Sequence, residues 1–190
     1  MQNKGIILII SGPSGCGKST VLSEIYKKIP KHFFSISATT RNPRPGEVDG
    51  VDYHFISKEK FRSMLERDEF LESAQYVGNY YGTPIKPIYD HYENGYVVIL
   101  DIDVQGFRQV KSKIPEATSI FITPPSLEEL EARLRARGTE SEEKIRQRLT
   151  VAAKELEMIG LYDHVIVNDD VYKASEEILK IINNIEVSKL

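Results

Sequence analysis

Four short runs of apolar, mostly β-branched residues stand apart along the chain and predict the buried strands of one sheet. They cover residues 5–10, 96–100, 118–123 and 164–168. Strands that are buried on both faces read as continuous apolar runs, and this pattern is typical of parallel sheets. Because helical patterns separate the runs, we expect an α/β layered domain with right-handed crossovers.

Three stretches have the residue pattern of helices. In residues 18–29 the apolar positions recur on one face, and Pro30 ends the pattern. The residues of that face are Val21, Leu22, Ile25 and Ile29. Residues 126–159 are charged and rich in alanine and leucine, which predicts helix interrupted near Gly138. Residues 171–185 predict a closing helix.

Residues 35–82 break this alternation of strand and helix. They open with a loop punctuated by the turn formers Pro43, Pro45, Gly46 and Gly50. A helix is expected to begin near Ser57, and the pair Gly78-Asn79 between two aromatic-rich runs predicts a β-hairpin. We interpret the stretch as a small insert of mixed strands on the parallel core.

The composition is that of an ordinary globular domain. The chain has 190 residues, of which 41% are hydrophobic and 28% are charged. Its one cysteine, Cys16, cannot form an intramolecular disulfide. The first apolar run is too short to span a bilayer, and no cleavage site follows it. We therefore expect one domain over residues 1–190 in a cytoplasmic setting, with no membrane partner.

The net charge of -3 argues against a nucleic-acid partner, because proteins that neutralise phosphate backbones usually carry a basic face. The four histidines are scattered without metal-ligand spacing. Local clusters of arginine therefore stand out against an acidic chain.

A phosphate-binding loop is the strongest local motif. Between the first predicted strand and helix the chain reads Gly12-Pro13-Ser14-Gly15-Cys16-Gly17-Lys18-Ser19, which matches G-x-x-x-x-G-K-[ST]. Glycines let backbone N–H groups turn inward, Lys18 can reach the β and γ phosphates, and the Ser19 hydroxyl can bind Mg²⁺. A plain glycine turn before a helix is the alternative. The flanking strand and helix favour triphosphate binding, and Cys16 fills a variable position without chemistry of its own.

Two carboxylates, Asp101 and Asp103, follow the second predicted strand. Acidic residues at the carboxyl ends of parallel strands are typical of the magnesium-binding region of phosphate-loop proteins. Taken alone, the pair is equally a plain strand end. The phosphate loop favours the functional interpretation.

A second anion site is indicated by the insert. Its loop carries Arg41 and Arg44 near Ser37 and Tyr53, and guanidinium forks can bind the oxygens of a phosphate monoester in pairs. The alternative is a solvated Pro/Arg loop. The hairpin adds one carboxylate, Glu72, and the turn Tyr80-Tyr81-Gly82-Thr83. A carboxylate can accept from N1–H and the exocyclic amine of guanine, so Glu72 favours guanine over adenine.

The helical stretch near Gly138 is rich in arginine: Arg133, Arg135, Arg137, Arg146 and Arg148. Glu129 with Arg133 and Glu131 with Arg135 have i,i+4 spacing, which favours a solvated helix with salt bridges. However, Arg133 and Arg137 place like charges on one face of the helix, which destabilises an isolated helix by roughly 0.2–0.5 kcal/mol unless an anion or an acidic side chain neutralises them. A lid that brings positive charge to a transferring phosphoryl group is the functional alternative.

These residues together resemble those of the guanylate kinases over essentially the whole chain. Six segments follow in the order of the family: GPSGCGKST, SATTRNPRPGEVDGVDYHF, FLESAQYVGNYYGT, VILDIDVQG, RARGTES and VIVNDD. The resemblance implies a P-loop three-layer α/β sandwich with a parallel central sheet. It further implies a core (residues 1–34, 84–137 and 149–190), a mixed α+β GMP-binding insert (35–83) and a helical lid (138–148).

The activity that the resemblance implies is transfer of the γ-phosphoryl group of ATP to GMP, with Mg²⁺, giving ADP and GDP. It also implies roles for residues. ATP would be bound by Gly12, Pro13, Ser14, Gly15, Cys16, Gly17, Lys18, Ser19, Thr20 and Asn168. The GMP phosphate would be held by Ser37, Arg41, Arg44, Tyr53 and Tyr81, and guanine by Glu72, Thr83 and Asp103. Catalysis would use Lys18, Asp101, Arg133, Arg137 and Arg148, with Ser19 as metal ligand. Use of dGMP and the oligomeric state stay open.

Two other functions remain to be weighed. Guanylate-kinase-like domains of scaffold proteins bind phosphopeptides at the GMP site, but such domains would carry a degraded phosphate loop, whereas Gly17, Lys18 and Ser19 are intact here. A kinase for another small phosphate acceptor is the second alternative. The set of Glu72 and Thr83 with Asp103 speaks for guanine.

Overall fold

The computed structural model describes residues 4–76, 78–136, 138 and 141–188, and the chain forms two compact units. The first unit comprises the start of the chain up to Ile7 together with Phe33–Ala117. The second comprises Leu8–His32 together with the chain from Thr118 onward. The chain passes from one unit to the other three times: between Ile7 and Leu8 in the first strand, between His32 and Phe33, and between Ala117 and Thr118.

The elements are numbered in chain order. The strands of the described residues are β1 (Ile6–Ser11), β2 (His32–Phe34), β3 (Ala38–Thr39), β4 (His54–Phe55), β5 (Phe70–Tyr76), β6 (Asn79–Pro84), β7 (Val97–Asp101), β8 (Thr118–Thr123) and β9 (His164–Val167). The α-helices are α1 (Lys18–Tyr26), α2 (Lys58–Glu66), α3 (Ile85–Glu93), α4 (Val104–Lys113), α5 (Leu127–Ala136), α6 (Glu142–Leu156) and α7 (Val171–Ser188). A short 3-10 helix lies at Ile159–Leu161.

The central sheet has five strands, namely the four predicted ones, β1, β7, β8 and β9, and the short strand β2. In the first unit the strand order is β2-β7-β1, and the N–H of Ile6 donates to the carbonyl of Tyr96 (3.1 Å). In the second unit the order is β1-β8-β9 in parallel, with Ile10 beside Ile120. The apolar side chains of β1 are all buried, as a strand covered on both faces requires. The predicted α/β fold with a parallel central sheet is confirmed.

The insert forms a second, mixed sheet with the order β4-β3-β6-β5, in which β3 and β4 are parallel and the other pairs antiparallel. The hairpin predicted at Gly78-Asn79 joins β5 to β6, and Gly78 has the positive φ of 75° that such a turn favours. Helix α2 begins after Ser57, whose hydroxyl accepts from the N–H of Lys60. Its buried face is anchored by Phe61, which stacks on Phe70.

Helix α4 was not singled out in the sequence, and it fixes the edge strand β5. The side-chain amide of Gln109 bonds the backbone of Ser73 in both directions, at 3.1 and 2.9 Å. The ammonium of Lys113 donates to the carbonyls of Leu71 (2.7 Å) and Phe70 (3.2 Å). Side chains of a helix thus satisfy edge-strand groups that would otherwise need another strand. Strand β5 carries Glu72, so α4 helps to position that carboxylate.

Helices of the second unit follow the predicted pattern with shifted ends. Helix α1 stops at Tyr26, earlier than predicted, although Ile29 is still buried. The long helical stretch is divided into α5 and α6, and the interruption lies where it was predicted, near Gly138 with its φ of 62°. A small core joins α5 to α6 and consists of Leu130, Leu134, Ile145 and Ala152. Among the described residues, no helix is long and apolar enough to cross a membrane.

Candidate nucleotide-binding and active site

The phosphate loop in the second unit depends on glycine at three positions. Gly12, Gly15 and Gly17 have φ of 151°, 96° and 92°, a region that L side chains rarely adopt. Space is also short, because a Cβ on Gly12 would lie 2.1 Å from the carbonyl oxygen of Ile122. A Cβ on Gly17 would lie 2.4 Å from Nδ2 of Asn168. The backbone conformation of this loop therefore requires glycine at these three positions.

The loop leads directly into the positive end of helix α1. Gly17 is the N-cap residue and provides no side-chain cap, so no hydroxyl or carboxylate competes with an anion for the first-turn N–H groups. The ammonium of Lys18 donates to the carbonyl of Gly12 at 2.8 Å and thus lies across the loop. The side chains of Ser19 and Thr20 are exposed at the start of the helix. This arrangement is able to bind a polyphosphate.

Asn168 and Arg133 stabilise the phosphate loop through hydrogen bonds to backbone carbonyls. The buried amide of Asn168 donates to the carbonyl of Cys16 at 2.7 Å. The guanidinium of Arg133 donates to the carbonyl of Asn168 (3.0 Å) and at longer range to that of Cys16 (3.4 Å). Its Nε–H donates to Glu129 at 2.9 Å, which is the i,i+4 pair expected from the sequence. Both residues were predicted for the ATP site, and both contact the backbone of the loop.

The other arginines of α5 and α6 named above have different partners. Arg148 of α6 donates to the hydroxyl of Ser14 in the phosphate loop at 2.8 Å. Arg135 is paired with Glu131 at 2.7 Å and also with Glu142, so it belongs to the solvated salt-bridge pattern. Arg137, which was predicted to act on the ATP phosphates, lies outside the described residues.

In the first unit, Arg41 lies among aromatic and acidic side chains. Its Cζ is 5.1 Å from the ring centre of Tyr53, and the rings of Tyr53 and Tyr81 meet edge to face at 6.1 Å. Glu47 accepts from both terminal nitrogens of Arg41 and from the backbone N–H of Arg44. The hydrogen bonds from Arg41 and Arg44 lower the pKa of Glu47 to about 2, and the bond to Glu47 raises the pKa of Arg41. Three residues predicted for the acceptor phosphate, Arg41, Tyr53 and Tyr81, therefore come together.

A second cluster of the first unit surrounds Glu72, which is buried with only 6% of its surface exposed. The hydroxyl of Thr83 donates to its Oε1 at 2.5 Å, and the hydroxyl of Ser37 lies 3.3 Å from that of Thr83. The pKa of Glu72 is raised to about 7, chiefly by burial; the bonds from Thr83 oppose this rise and the nearby Asp103 adds to it. A Cβ on Gly106 would lie 3.0 Å from Oε2, so the glycine leaves room for this carboxylate. Ser37 was predicted for the phosphate, and its hydroxyl lies with this carboxylate cluster.

The two predicted carboxylates at the end of β7 have different surroundings. Asp103 is the N-cap of α4 and accepts from the N–H of Gly106 at 2.8 Å. Asp101 is the last residue of the strand and is half-buried. Burial chiefly raises the pKa of Tyr53, and the Asp101 carboxylate raises it further. Asp103 therefore shapes the Glu72 cluster, and Asp101 faces the surroundings of Tyr53.

Sequence reasoning did not find Glu47, Gly106, Gln109 or Lys113. Glu47 follows Arg41 and Arg44 by six and three positions in the same Pro/Gly-rich loop, so the charge pattern held a signal for it. The other three lie on α4, whose contact with β5 joins positions about 36 to 43 residues apart. A local sequence pattern cannot predict a contact between residues so far apart in the sequence.

Together, a buried parallel sheet, a glycine loop at the first strand and a lysine at the start of the following helix define a P-loop kinase fold. The solved shikimate kinase of Bacteroides thetaiotaomicron has a similar fold, with a TM-score of 0.52, 12% identity, and coverage of 94% of this chain and 98% of that one. At that identity the likeness concerns the fold alone.

The family model for guanylate kinase matches residues 4–185, and the chain belongs to the guanylate kinase family. It is 48% identical over 181 residues to the guanylate kinase of Desulfitobacterium hafniense (strain Y51), covering 95% of this chain and 90% of that one. With the guanylate kinase of Prochlorococcus marinus subsp. pastoris it shares 49% identity over 184 residues, covering 97% and 100%. The crystal structure of guanylate kinase from Anaplasma phagocytophilum is similar with a TM-score of 0.77, 34% identity, and coverage of 97% and 87%.

Proposed function

We propose that this protein transfers the γ-phosphoryl group of ATP to GMP and releases ADP and GDP. The observation that carries the proposal is the buried carboxylate of Glu72, bonded to Thr83, in the same unit as the Arg41 cluster. A phosphate-loop protein needs only one anion site to bind ATP, and these two clusters provide the chemistry for a second nucleotide. The membership in the guanylate kinase family supports the same acceptor.

On the ATP side, the backbone of Gly12–Ser19 and the dipole of α1 would bind the phosphates. Lys18 would leave the carbonyl of Gly12 and donate to the β and γ phosphates, where negative charge spreads during transfer. Arg148, already on the loop hydroxyl of Ser14, is placed to add a second positive charge, and we assign the same task to Arg137. Arg133 and Asn168 would keep the loop in shape through its carbonyl groups.

On the GMP side, the phosphate would be held by the two arginines and two phenols around Arg41, namely Arg41, Arg44, Tyr53 and Tyr81. Guanidinium groups bind phosphate oxygens in pairs, and tyrosine hydroxyls add single donors. Ser37 would complete this set. Its hydroxyl is 3.3 Å from that of Thr83, so a single hydroxyl pair would link the phosphate to the base.

Guanine would be read by Glu72 in its ionised form. The carboxylate accepts from N1–H and from the exocyclic amine, whereas adenine presents an acceptor at N1. Thr83 would hold Glu72 in place through its hydroxyl, and Thr83 and Asp103 would bond the edge of the base. The acceptor oxygen must then lie in line with the γ phosphorus, and the rate gain comes from this alignment and from neutralised charge. No side chain is required as a nucleophile.

Two side chains, one in each unit, also have the chemistry that Mg²⁺ needs of its ligands. The exposed hydroxyl of Ser19 and the carboxylate of Asp101 are oxygen donors, and Mg²⁺ binds through one or two protein oxygens together with waters and substrate phosphates. When bound, the ion neutralises charge on the β and γ phosphates. Ser19 would be the protein ligand, and Asp101 would act near the ion and Lys18.

The proposed layout has a core (residues 1–34, 84–137 and 149–190), a GMP-binding insert (35–83) and a lid (138–148). An insert and lid that close over the nucleotides would exclude water, which would otherwise accept the phosphoryl group. A cytoplasmic location is proposed on the single cysteine, Cys16, which leaves the chain without an internal disulfide. Use of dGMP belongs to the same proposal, since none of the assigned contacts involves the ribose 2′-OH.

A coupled assay of ADP release tests the acceptor directly. With ATP and Mg²⁺ present, GMP, AMP, CMP and UMP are compared at equal concentration, and GMP is expected to exceed the others in kcat/KM by at least about 10³-fold. The Glu72→Gln variant should lose much of this discrimination while phosphate binding is kept. Preference for AMP, or selectivity for GMP unchanged by the substitution, would contradict the proposal. Absence of turnover with all four acceptors would favour a silent binding domain.

A further inference from the structure

Glu47 has a position that none of the roles above explains. Its carboxylate accepts three hydrogen bonds: from Nη1 of Arg41 (2.6 Å), from Nη2 of Arg41 (2.7 Å) and from the backbone N–H of Arg44 (2.7 Å). The pair is well covered, since the side chains of Arg41 and Glu47 are 12% and 18% exposed. The bidentate geometry and the low exposure distinguish it from an ordinary surface ion pair, which contributes little.

The donors of Arg41 divide into two edges of the guanidinium group. Glu47 takes one N–H from each terminal nitrogen, which is the end-on edge. The second N–H of Nη1 donates to the carbonyl of Asn42 at 2.9 Å. Five N–H groups are available in total. Within the described residues, the two that remain are Nε–H and the second Nη2–H, which lie parallel on the side-on edge and match two oxygens of a phosphate.

The rest of the loop fixes this orientation. The N–H of Glu47 donates to the carbonyl of Arg44 (3.0 Å), so the backbone turns back on itself between the two residues. Gly46 has a φ of 89° inside this turn, and a Cβ there would meet nothing within 4 Å, so the backbone angle alone favours glycine. The guanidinium of Arg41 also lies over the rings of Tyr53 (5.1 Å) and Phe55 (5.6 Å), which limits its tilt.

Charge balance allows Glu47 to stay when an anion binds. One carboxylate faces two guanidinium groups, so a net positive charge remains for the phosphate. The guanidinium of Arg44 makes no hydrogen bond within the part of the chain that the structure describes, and its side chain is exposed. A phosphate on the side-on edge of Arg41 would not have to displace the carboxylate from the end-on edge.

We propose that Glu47 is a positioning residue for the acceptor phosphate: it holds the end-on edge of Arg41 so that the side-on edge receives the phosphate of GMP. The inference rests on the proposed function, because it takes Arg41 to be a GMP ligand. Glu47 itself touches no substrate and acts through Arg41 and the backbone of Arg44. A competitor role, in which Glu47 occupies the phosphate site until GMP displaces it, predicts the opposite sign of effect.

The Glu47→Gln variant tests the proposal. The amide keeps the size of the side chain, but one of its ends becomes a donor that faces an N–H of Arg41. We expect the KM for GMP to rise about tenfold, because a charge-assisted bidentate contact is lost. The KM for ATP should stay within about twofold. Guanosine, which lacks the phosphate, is used as a competitive inhibitor, and its Ki should also stay within about twofold.

Asp52→Asn is the matched control. Asp52 lies in the same loop and accepts from the N–H of Val48 at 2.7 Å, and among the described residues it makes no hydrogen bond to Arg41. The Asp52→Asn substitution also removes one negative charge from this loop, but the KM for GMP should change by less than about twofold. Thermal unfolding of both variants shows that they are folded at the assay temperature.

A double-mutant cycle separates this inference from the proposed function. Arg41→Ala should raise the KM for GMP strongly, and Glu47→Gln should add nothing in that background. If Arg41→Ala leaves the KM for GMP unchanged, the role of Arg41 in the proposed function is wrong. If Arg41→Ala weakens GMP but Glu47→Gln leaves its KM unchanged or lowers it, the positioning role of Glu47 is wrong. The same holds if Glu47→Gln weakens guanosine and GMP equally.

Discussion

At the scale of single residues, the site is a set of side chains whose chemistry is altered by their neighbours. Glu72 is the clearest case, because burial raises its pKa to about 7 while Thr83 donates to it. A carboxylic acid at this pKa is only partly ionised near neutral pH. Guanine offers two donors and therefore requires the ionised form, so binding of the base and loss of the proton are coupled.

We predict that the KM for GMP rises as the pH falls below 7, by roughly fivefold between pH 7 and pH 6 for a group with this pKa. Steady-state assays from pH 6 to 8 measure it. The phosphate of GMP also takes up a proton near pH 6. The Glu72→Gln variant serves as the reference, since it keeps the phosphate effect and loses that of the carboxyl. An equal pH dependence in both proteins would contradict the prediction.

The same group contributes to stability with a defined sign. Its folded pKa of about 7 lies above the ordinary value of 4.5, so the folded protein takes up the proton first. The contribution of Glu72 to the free energy of unfolding therefore increases as the pH falls from 7 towards 4.5.

Lys18 offers a second prediction at this scale. Lys18→Ala should lower kcat at least about 10²-fold, because a positioned cation at the transferring group is worth several kcal/mol. The matched control is Lys27→Ala, an exposed lysine just after α1 that pairs with Glu24. Coupled turnover assays at saturating ATP and GMP give both rates. A loss of only a few fold in the Lys18 variant would mean that the loop lysine does not act on the phosphoryl group.

At the scale of elements, helices and strands transmit position to the site through a few side-chain bonds. Helix α4 holds β5 through Gln109 and Lys113, and Asp103 begins the helix at the other end. The carboxylate of Glu72 therefore depends on a helix that carries no predicted nucleotide ligand within its span. Such bonds are testable by substitutions on α4.

Lys113→Met should shift the pH dependence of GMP binding to higher pH. The Lys113 ammonium lowers the pKa of Glu72, and its removal leaves burial and Asp103 less opposed. The pH at which the KM for GMP begins to rise is the measurement. Lys86→Met, which removes an exposed lysine paired with Asp90, should leave that pH unchanged. A shift to lower pH in the Lys113 variant would show that the electrostatic effect is misassigned.

The end of strand β9 is linked to the phosphate loop by Asn168. We predict that Asn168→Ala lowers the free energy of unfolding by about 1–3 kcal/mol, because the carbonyl of Cys16 loses its shorter hydrogen bond and keeps only the longer one from Arg133. The KM for ATP should rise while that for GMP stays nearly constant. Asn94→Ala removes a hydrogen bond from a side-chain amide to a backbone carbonyl at an exposed site, and we expect it to lower the free energy of unfolding by less. A larger effect on GMP than on ATP would argue against a role in supporting the loop.

At the scale of the whole molecule, periodic patterns were the predictable part of the fold. Continuous apolar runs gave the four central strands, and Gly78 marked the hairpin, because both signals are local in the sequence. Strand β2 is three half-buried residues long, too short to show any period. Helix α1 was expected to reach Ile29 but ends at Tyr26. Ile29 is buried although it lies beyond the helix, which explains why the apolar pattern continues past the last helical turn.

The candidate site was predictable to the extent that its residues lie in motifs. The glycines of the loop, Arg41 and Glu72 were each marked by residue type and spacing. Asn168 and Arg148 were expected only from the family resemblance, and their contacts were not predictable, because Asn168 meets Cys16 across 152 positions and Arg148 meets Ser14 across 134. Pairings over such distances are decided by tertiary packing, which a single sequence does not display.

The bond between Asn168 and Cys16 has a consequence for the synthesis of the protein. The phosphate loop is made before the amide that supports it, which follows 152 residues later. At typical rates of translation this delay is on the order of 10 s. During that interval the nascent chain carries the complete glycine motif without its support. Tight ATP binding is therefore expected only after residue 168 has left the ribosome, and by then the residues proposed for the acceptor site have already been made.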